Sequence, residues 1–302
     1  MLEIVILIFP TLLDDLEKTL NQLNESQLFL SQQQRDNIKF NVVLAMGDEI
    51  IDWEKSTISK EVCVSRFFQL KNLTNWSPNN NFTVSEEIHG CTSLRKVAAY
   101  SDSKYYLWLD PDIIFDSCTL FYMLNSIDAL ENEGITKFVI TPEIVKQWDD
   151  TWDCLVNERF IHEPAGYQAK NNPYQDSQFD HNLNPSLLEV RNNVIGQPYM
   201  KFGGGWFTIL SKELLNEIPF PENYGHYGVD DTYIMWGAEM LANPNIKQFK
   251  LKDVIVCENY FDRITSYKDQ IVFIDRRQEY LKINEELLLI EMQKFRQKAW
   301  SK

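Results

Sequence analysis

The sequence predicts an α/β protein built on a mostly parallel, Rossmann-like sheet with covering helices. Three observations carry that prediction. Strand and helix signals alternate through the first third of the chain, the pattern of parallel strands joined by helical crossovers. Largely apolar runs at 2–9, 38–45 and 105–109 are rich in Ile, Val, Leu and aromatic residues, as buried strands require. The 302 residues are 44% hydrophobic and 13% aromatic, enough for a sizeable core and unlike a disordered chain.

The elements follow in order. Met1-Leu2-Glu3-Ile4-Val5-Ile6-Leu7-Ile8-Phe9-Pro10 lacks a basic leader and a small-residue cleavage site. It therefore reads as a buried first strand and not as a signal peptide. Leu12, Leu13, Leu16, Leu20 and Leu23 then recur at helical spacing, with Thr11 as the expected N-cap and Asp14 and Asp15 in the first turn. Ile38–Ala45 reads as a second strand ending at Met46-Gly47-Asp48. Residues 62–70 read as a third strand, 93–101 as a helix, and Tyr105–Leu109 as the strand after it. Phe138–Pro142 is a further strand. Residues 147–197, rich in Asn, Asp, Gln, Pro and Trp, read as a long irregular excursion of the kind that carries function. Ser211 is placed to cap a helix over 212–218. A helix over 231–241, a short strand over 254–257 and a long helical tail over 275–299 complete the chain.

Charge and cysteine usage narrow the function. A net charge of -15 disfavours nucleic acid as a partner and gives no general attraction to anionic lipid. Lys294, Arg296, Lys298 and Lys302 cluster in the tail. A solvated helix face is the first reading of that cluster, and a peripheral membrane contact is the sharper alternative. Cys63, Cys91, Cys118, Cys154 and Cys257 are scattered and form no C-x-x-C, which points to a reduced, cytoplasmic setting. No stretch is long enough to cross a bilayer.

Three groups of residues carry chemistry. Asp110 and Asp112 stand two apart at the end of an apolar strand, where hard oxygen ligands suit Mn²⁺ or Mg²⁺ on a diphosphate. The alternative is a solvated turn around Pro111. Asp230 and Asp231 precede a helix, where free N–H groups stabilise carboxylates, and a general base is the functional alternative. Gly203-Gly204-Gly205-Trp206 offers close backbone approach beside a flat ring that can stack on a sugar, or else a bend beside a core Trp. His89, His162 and His181 are isolated and lack zinc spacing. His226 either orients an acceptor or is a satisfied structural histidine. The Trp148–Asp153 stretch reads as an amphipathic segment, with an acceptor groove as the alternative.

Taken in order, Leu109-Asp110-Pro111-Asp112, Gly203-Gly204-Gly205-Trp206 and Gly228-Val229-Asp230-Asp231 resemble the motifs of GT-A fold glycosyltransferases, most closely the inverting family-2-like group. Gly90, Arg95 and Lys96 stand where such enzymes carry a further motif. The resemblance implies a glycosyltransferase domain over 1–265, with a nucleotide-sugar half over about 1–115 and an acceptor half over about 116–265, and a helical segment over 266–302. It implies Asp112 as the main metal ligand, Asp110 near metal and ribose, Asp48 at the nucleotide base, and Arg95 at the base or a phosphate. Gly204, Gly205, Trp206, His226 and Asp230 would hold the acceptor, and Asp231 would be the catalytic base. The donor would be a nucleotide diphosphate sugar, UDP-linked first. The acceptor would be a glycan, a lipid-linked sugar or a protein. The chain departs from the family in having Ala45-Met46 where two acidic residues end the second strand, and no histidine after His226 for the metal, where Glu258 or Asn259 is the substitute. A nucleotidyltransferase is the competing enzyme, disfavoured because the Phe9–Leu13 turn has neither glycine nor base. A non-catalytic carbohydrate-binding protein is the third reading.

Overall fold

Period-two alternation in the strands divides the core into two layers. The computed structural model describes residues 1–148, 186–189, 205–259 and 272–300. The strands among these residues are β1 (Leu2–Ile8), β2 (Ile38–Ala45), β3 (Asn79–Ser85), β4 (Tyr105–Leu109), β5 (Ile113–Phe115), β6 (Lys137–Trp148), β7 (Ser186–Glu189), β8 (Phe207–Ser211) and β9 (Ile246–Asn259). They form one sheet in the order β3-β2-β1-β4-β8-β6-β9-β5, with β7 on β9. Among the described residues eight α-helices accompany them: α1 (Leu13–Ser26), α2 (Gln32–Asp36), α3 (Lys60–Leu70), α4 (Cys91–Ala98), α5 (Thr119–Asn132), α6 (Lys212–Glu217), α7 (Asp230–Met240) and α8 (Val272–Trp300).

Strand β1 is buried along its whole length. Ile4, Ile6 and Ile8 enter one apolar cluster, and Val5 and Leu7 enter the other, because successive strand side chains point to opposite faces. On the first face they meet Leu16, Leu20 and Leu23 of α1 and Phe67 of α3. The second face is covered by Leu94 of α4, Leu214 of α6, Ile234 of α7, and Leu288 and Met292 of α8. Tyr106 and Trp108 of β4 point to that second face, and Leu107 and Leu109 to the first. The sheet is mixed but mostly parallel. Strands β1, β2, β3 and β4 run together, β8 lies antiparallel between β4 and β6, and β9 runs with β6.

Register places the carboxyl ends of β1, β2 and β4 along one edge: Ile8 pairs with Leu44, and Val5 with Trp108. Asp48 and Asp110-Pro111-Asp112 follow those ends directly. In open α/β sheets this edge is where ligands sit.

Three local expectations are corrected. Residues 62–70 belong to helix α3, whose N-cap Ser59 accepts a hydrogen bond from the Val62 N–H. Cys63, Phe67 and Leu70 are buried at helical spacing, which overrides the β-propensity of the other residues. The third strand is instead Asn79–Ser85, a polar edge strand in which only Phe82 is buried. Thr11 does not cap α1. Pro10 starts a short 3-10 turn, the helix begins at Leu13, and its N-cap is Leu12 with no side-chain bond. Strands β6 and β9 are also longer than the apolar runs suggest.

Two expectations hold. Ser211 caps α6, accepting from the Leu214 N–H. Asp230 and Asp231 open α7. In the tail, Lys294 pairs with Glu291 at 2.6 Å and the Arg296 guanidinium lies 4.7 Å from the Trp300 ring centre. Among the described residues no helix is long and apolar enough to cross a membrane.

The wholly buried Glu3 locks the amino-terminal end of the sheet. It accepts hydrogen bonds from Lys39 (3.1 Å), Asn41 (2.8 Å), Ser101 (2.6 Å) and Ser103 (2.7 Å). Burial alone would raise its pKa, but these donors outweigh burial and the pKa is lowered. Its contribution to stability is therefore complete above the ordinary Glu value of about 4.3 and is lost as pH falls through the lower folded value. Glu3→Ala is expected to cost about 3–5 kcal/mol at pH 7, since it leaves buried donors without their acceptor. Urea midpoints at pH 7 and pH 3 check this, and the gap between variant and wild type narrows at the lower pH.

Candidate active site at the carboxyl ends of the central strands

The site begins with strand parity. Asp110 continues β4 by one residue, its N–H donating to the Trp206 carbonyl at 2.9 Å. Alternation from Tyr106 and Trp108 puts Asp110 on the second face, below α4 and α7. The next residues turn back into β5. From the other face, the buried Thr19 of α1 donates its hydroxyl to the Pro111 carbonyl at 2.5 Å. This bond pins the Asp-Pro-Asp turn to the helix layer. Asp110 keeps a 27% exposed side chain, while Asp112 is 5% exposed.

Arg95 organises the centre. It lies on the inner face of α4, and its guanidinium carbon sits 4.9 Å from the Trp108 ring centre. One guanidinium nitrogen donates to Asp230 at 2.7 Å. The other donates to Asp110 at 2.8 Å and to the Gly205 carbonyl at 2.7 Å. A planar fork can serve three acceptors in this way where an ammonium cannot. Burial works against the charge of Arg95, but Asp230 and Asp110 outweigh it and raise the pKa further. The Cys91 thiol, one turn earlier, is pushed up to about 12 by burial and then by Asp230. It is no nucleophile near neutral pH.

Asp231 completes the cluster. Its carboxylate accepts from the Gly205 N–H at 2.9 Å and from the Thr232 N–H at 2.6 Å. A Cβ on Gly205 would stand 2.8 Å from the Arg95 guanidinium and 3.2 Å from the Asp231 Cβ, so only glycine fits between them. Burial, and then the neighbouring Asp230, raise the Asp231 pKa above the ordinary value. Asp230 is charge-compensated by Arg95, whereas Asp231 is held by backbone N–H groups. Two adjacent carboxylates thus have different surroundings, which is how one is kept poised to take a proton.

The other expected site residues are placed as follows. Asp48 is exposed in the turn after β2. Arg95 commits its guanidinium to Asp110, Asp230 and Gly205, and not to an open face. Trp206 is half-buried against the first core layer. His226 is half-buried, 2.5 Å from the Ser93 hydroxyl, with its ring stacked on His89 at 4.9 Å. Gly203, Gly204, His162, His181 and residues 149–185 lie outside the described residues, as do the side chains of Trp148, Glu258 and Asn259. His89 is less isolated than its spacing suggested: it also bonds Glu49 at 2.8 Å, which accepts from the Tyr280 hydroxyl at 2.7 Å. Glu49, Ser93 and Asn284 escape a sequence reading because their partners are distant in the chain. Asn284 alone left a trace, as the one amide in the stripe Tyr280, Asn284, Leu288, Met292.

Among the described residues no group of three or more His, Cys, Asp or Glu is arranged to hold a metal. Asp110 and Asp112 supply two carboxylates at the strand end. That set fits an ion such as Mg²⁺, which is commonly bound through one or two carboxylates and completed by substrate phosphates and water.

The fold is similar to that of S. aureus TarS. The structure of TarS 1-349 in complex with UDP matches at 16% identity over 88% of this chain and 62% of that one, with a TM-score of 0.44. The complex with UDP-GlcNAc matches at 15% identity over 82% of this chain and 57% of that one, with a TM-score of 0.43. This chain thus spans about three fifths of those TarS chains. No family model matches the sequence, and no curated protein does.

Proposed function

We propose that this chain is a metal-dependent, inverting glycosyltransferase of the GT-A type, taking a sugar from a nucleotide diphosphate donor, UDP-linked first, to a hydroxyl of a glycan, lipid-linked sugar or protein. The observation that carries the proposal is the Arg95 bridge between Asp110 and Asp230, with Asp231 beside it on Gly205. It gathers the strand-end Asp110 and the helix-start Asp230 at one sheet edge, beside Asp231, whose pKa is raised. The motif order read from the sequence supports the same reading.

In this mechanism Asp231 accepts the proton of the acceptor hydroxyl. The acceptor oxygen forms its bond to the anomeric carbon as the bond to the diphosphate breaks, so configuration inverts. Asp231 requires its ionised form, and Arg95 holds Asp230 and Asp110 so that Asp231 keeps its place. A divalent ion held by Asp112 and Asp110, when bound, would neutralise charge on the departing diphosphate. Asp48 is proposed to approach the nucleotide base, and Trp206, His226 and Asp230 to border the acceptor.

The test is release of free nucleotide from a panel of nucleotide sugars with Mn²⁺ and mixed glycan acceptors. Acceptor-dependent release from one donor supports the proposal. Absence of release from every donor by folded protein overturns it. Asp112→Ala is expected to weaken Mn²⁺-dependent donor binding at least about tenfold, read by calorimetry, with no change in binding measured in EDTA. Unchanged affinity in Mn²⁺ would remove Asp112 from the site.

A further inference from the structure

Helix α8 reaches the site through one amide. Asn284 is fully buried in a stripe otherwise occupied by Tyr280, Leu288 and Met292. A buried amide is tolerated only when its groups are bonded, and the bonds of Asn284 converge on one loop. Its oxygen accepts from the Gly225 N–H at 2.5 Å, and its nitrogen donates to the carbonyls of Tyr227 (2.8 Å) and Gly228 (3.0 Å).

That loop is strained. Gly228 has φ +92° and Val229 has φ 53°. A β-branched residue in the left-handed region persists only where its surroundings hold it. The Tyr224 hydroxyl holds the Val229 carbonyl from the other side at 3.1 Å. Contact with α8 is close enough to demand glycine: a Cβ on Gly228 would stand 2.7 Å from a Leu281 methyl, and one on Gly225 would stand 2.9 Å from the Asn284 oxygen. The residues that follow directly are Asp230 and Asp231.

We propose that Asn284 is a positioning residue for Asp231: it fixes the 225–229 loop in its left-handed turn and thereby sets where α7 presents the carboxylate. The catalytic consequence rests on Asp231 being the base. The geometric claim stands apart from it, because Asp231 has its own reporter in the Gly205 N–H, which bonds the Asp231 carboxylate, while the Asn284 bonds go to Gly225, Tyr227 and Gly228.

The test compares Asn284→Ala and Asn284→Asp with Leu288→Ala, which loosens the same stripe of α8 one turn on while leaving the three Asn284 hydrogen bonds to the loop in place. Asn284→Asp is nearly isosteric and keeps the acceptor for Gly225, so it serves if the alanine variant does not fold. Both Asn284 variants are expected to lower kcat about 10²-fold with the donor KM changed less than about threefold. They are also expected to speed amide exchange at Gly205 about tenfold or more. Leu288→Ala should lower Tm while leaving kcat and Gly205 exchange near wild type. An Asn284 variant with wild-type kcat and a protected Gly205 amide overturns the proposal. So does a Leu288→Ala variant that reproduces both losses. If wild-type protein transfers no sugar, the function fails, and Gly205 exchange alone still decides whether Asn284 holds Asp231 in place.

Discussion

Asp231→Asn is expected to lower sugar transfer about 10³-fold without weakening the fold. Asn keeps a side-chain oxygen that can accept from the Gly205 N–H, but it cannot take a proton from a hydroxyl. The stability side follows from the raised pKa of Asp231, set by burial and by Asp230. A carboxyl whose folded pKa lies above its unfolded value contributes most below the unfolded value, and that contribution is lost as pH rises through the folded one. At pH 7 the ionised carboxylate is therefore a liability, and Asn removes it. Thermal unfolding should show a Tm for Asp231→Asn equal to or above wild type at pH 7, with the difference shrinking toward pH 4. Transfer by wild type should fall on the acid side with a midpoint above the ordinary Asp value of about 3.9. A variant that kept transfer, or lost it together with its fold, would remove Asp231 as the base.

Arg95→Met is the second large effect, and here stability and activity fall together. Asp230 is nearly buried and Asp110 is partly so, and their shared counter-charge is Arg95. Removing one member of a buried ion cluster costs about 3–5 kcal/mol, because Asp230 and Asp110 lose the Arg95 charge they share. In a domain of this size that is a fall in Tm of about 5–8 °C. Arg95→Lys separates the two effects. It keeps a positive charge but not the fork that reaches Asp230, Asp110 and the Gly205 carbonyl together. The Lys variant should fold with a smaller loss of Tm and still transfer sugar about 10²-fold more slowly. Equal Tm and equal transfer in Arg95→Lys would show that the bridge has no part in aligning the site.

Where the local signal was strong, the sequence foretold the fold. Strand β4 is an apolar run without interruption and β1 is broken only by Glu3, α1 repeats Leu at helical spacing, and Ser211 has cap chemistry that needs no tertiary partner. Residues 62–70 misled because Val, Cys and Phe favour strands by composition, while the cap at Ser59 and the spacing of Cys63, Phe67 and Leu70 favour a helix. Edge strand β3 was missed because a strand with one buried side chain carries no apolar pattern. The candidate site divides in the same way. Asp110, Asp112, Asp230 and Asp231 announce themselves as strand-end and helix-start carboxylates. Their connection through Arg95 spans 135 residues of chain, and Asn284 meets its loop across 59. Such pairings are made by topology and leave no local spacing to read.

The central claim is a metal-dependent nucleotide site at the Asp110-Pro111-Asp112 turn. Calorimetric titration of UDP, GDP and CMP into the folded protein, once with Mn²⁺ and once with EDTA, tests it most directly. The account predicts that one nucleotide class, UDP first, binds with Mn²⁺ and loses at least about tenfold in affinity with EDTA. Folded protein that binds none of the three, or binds one equally with and without metal, would contradict it.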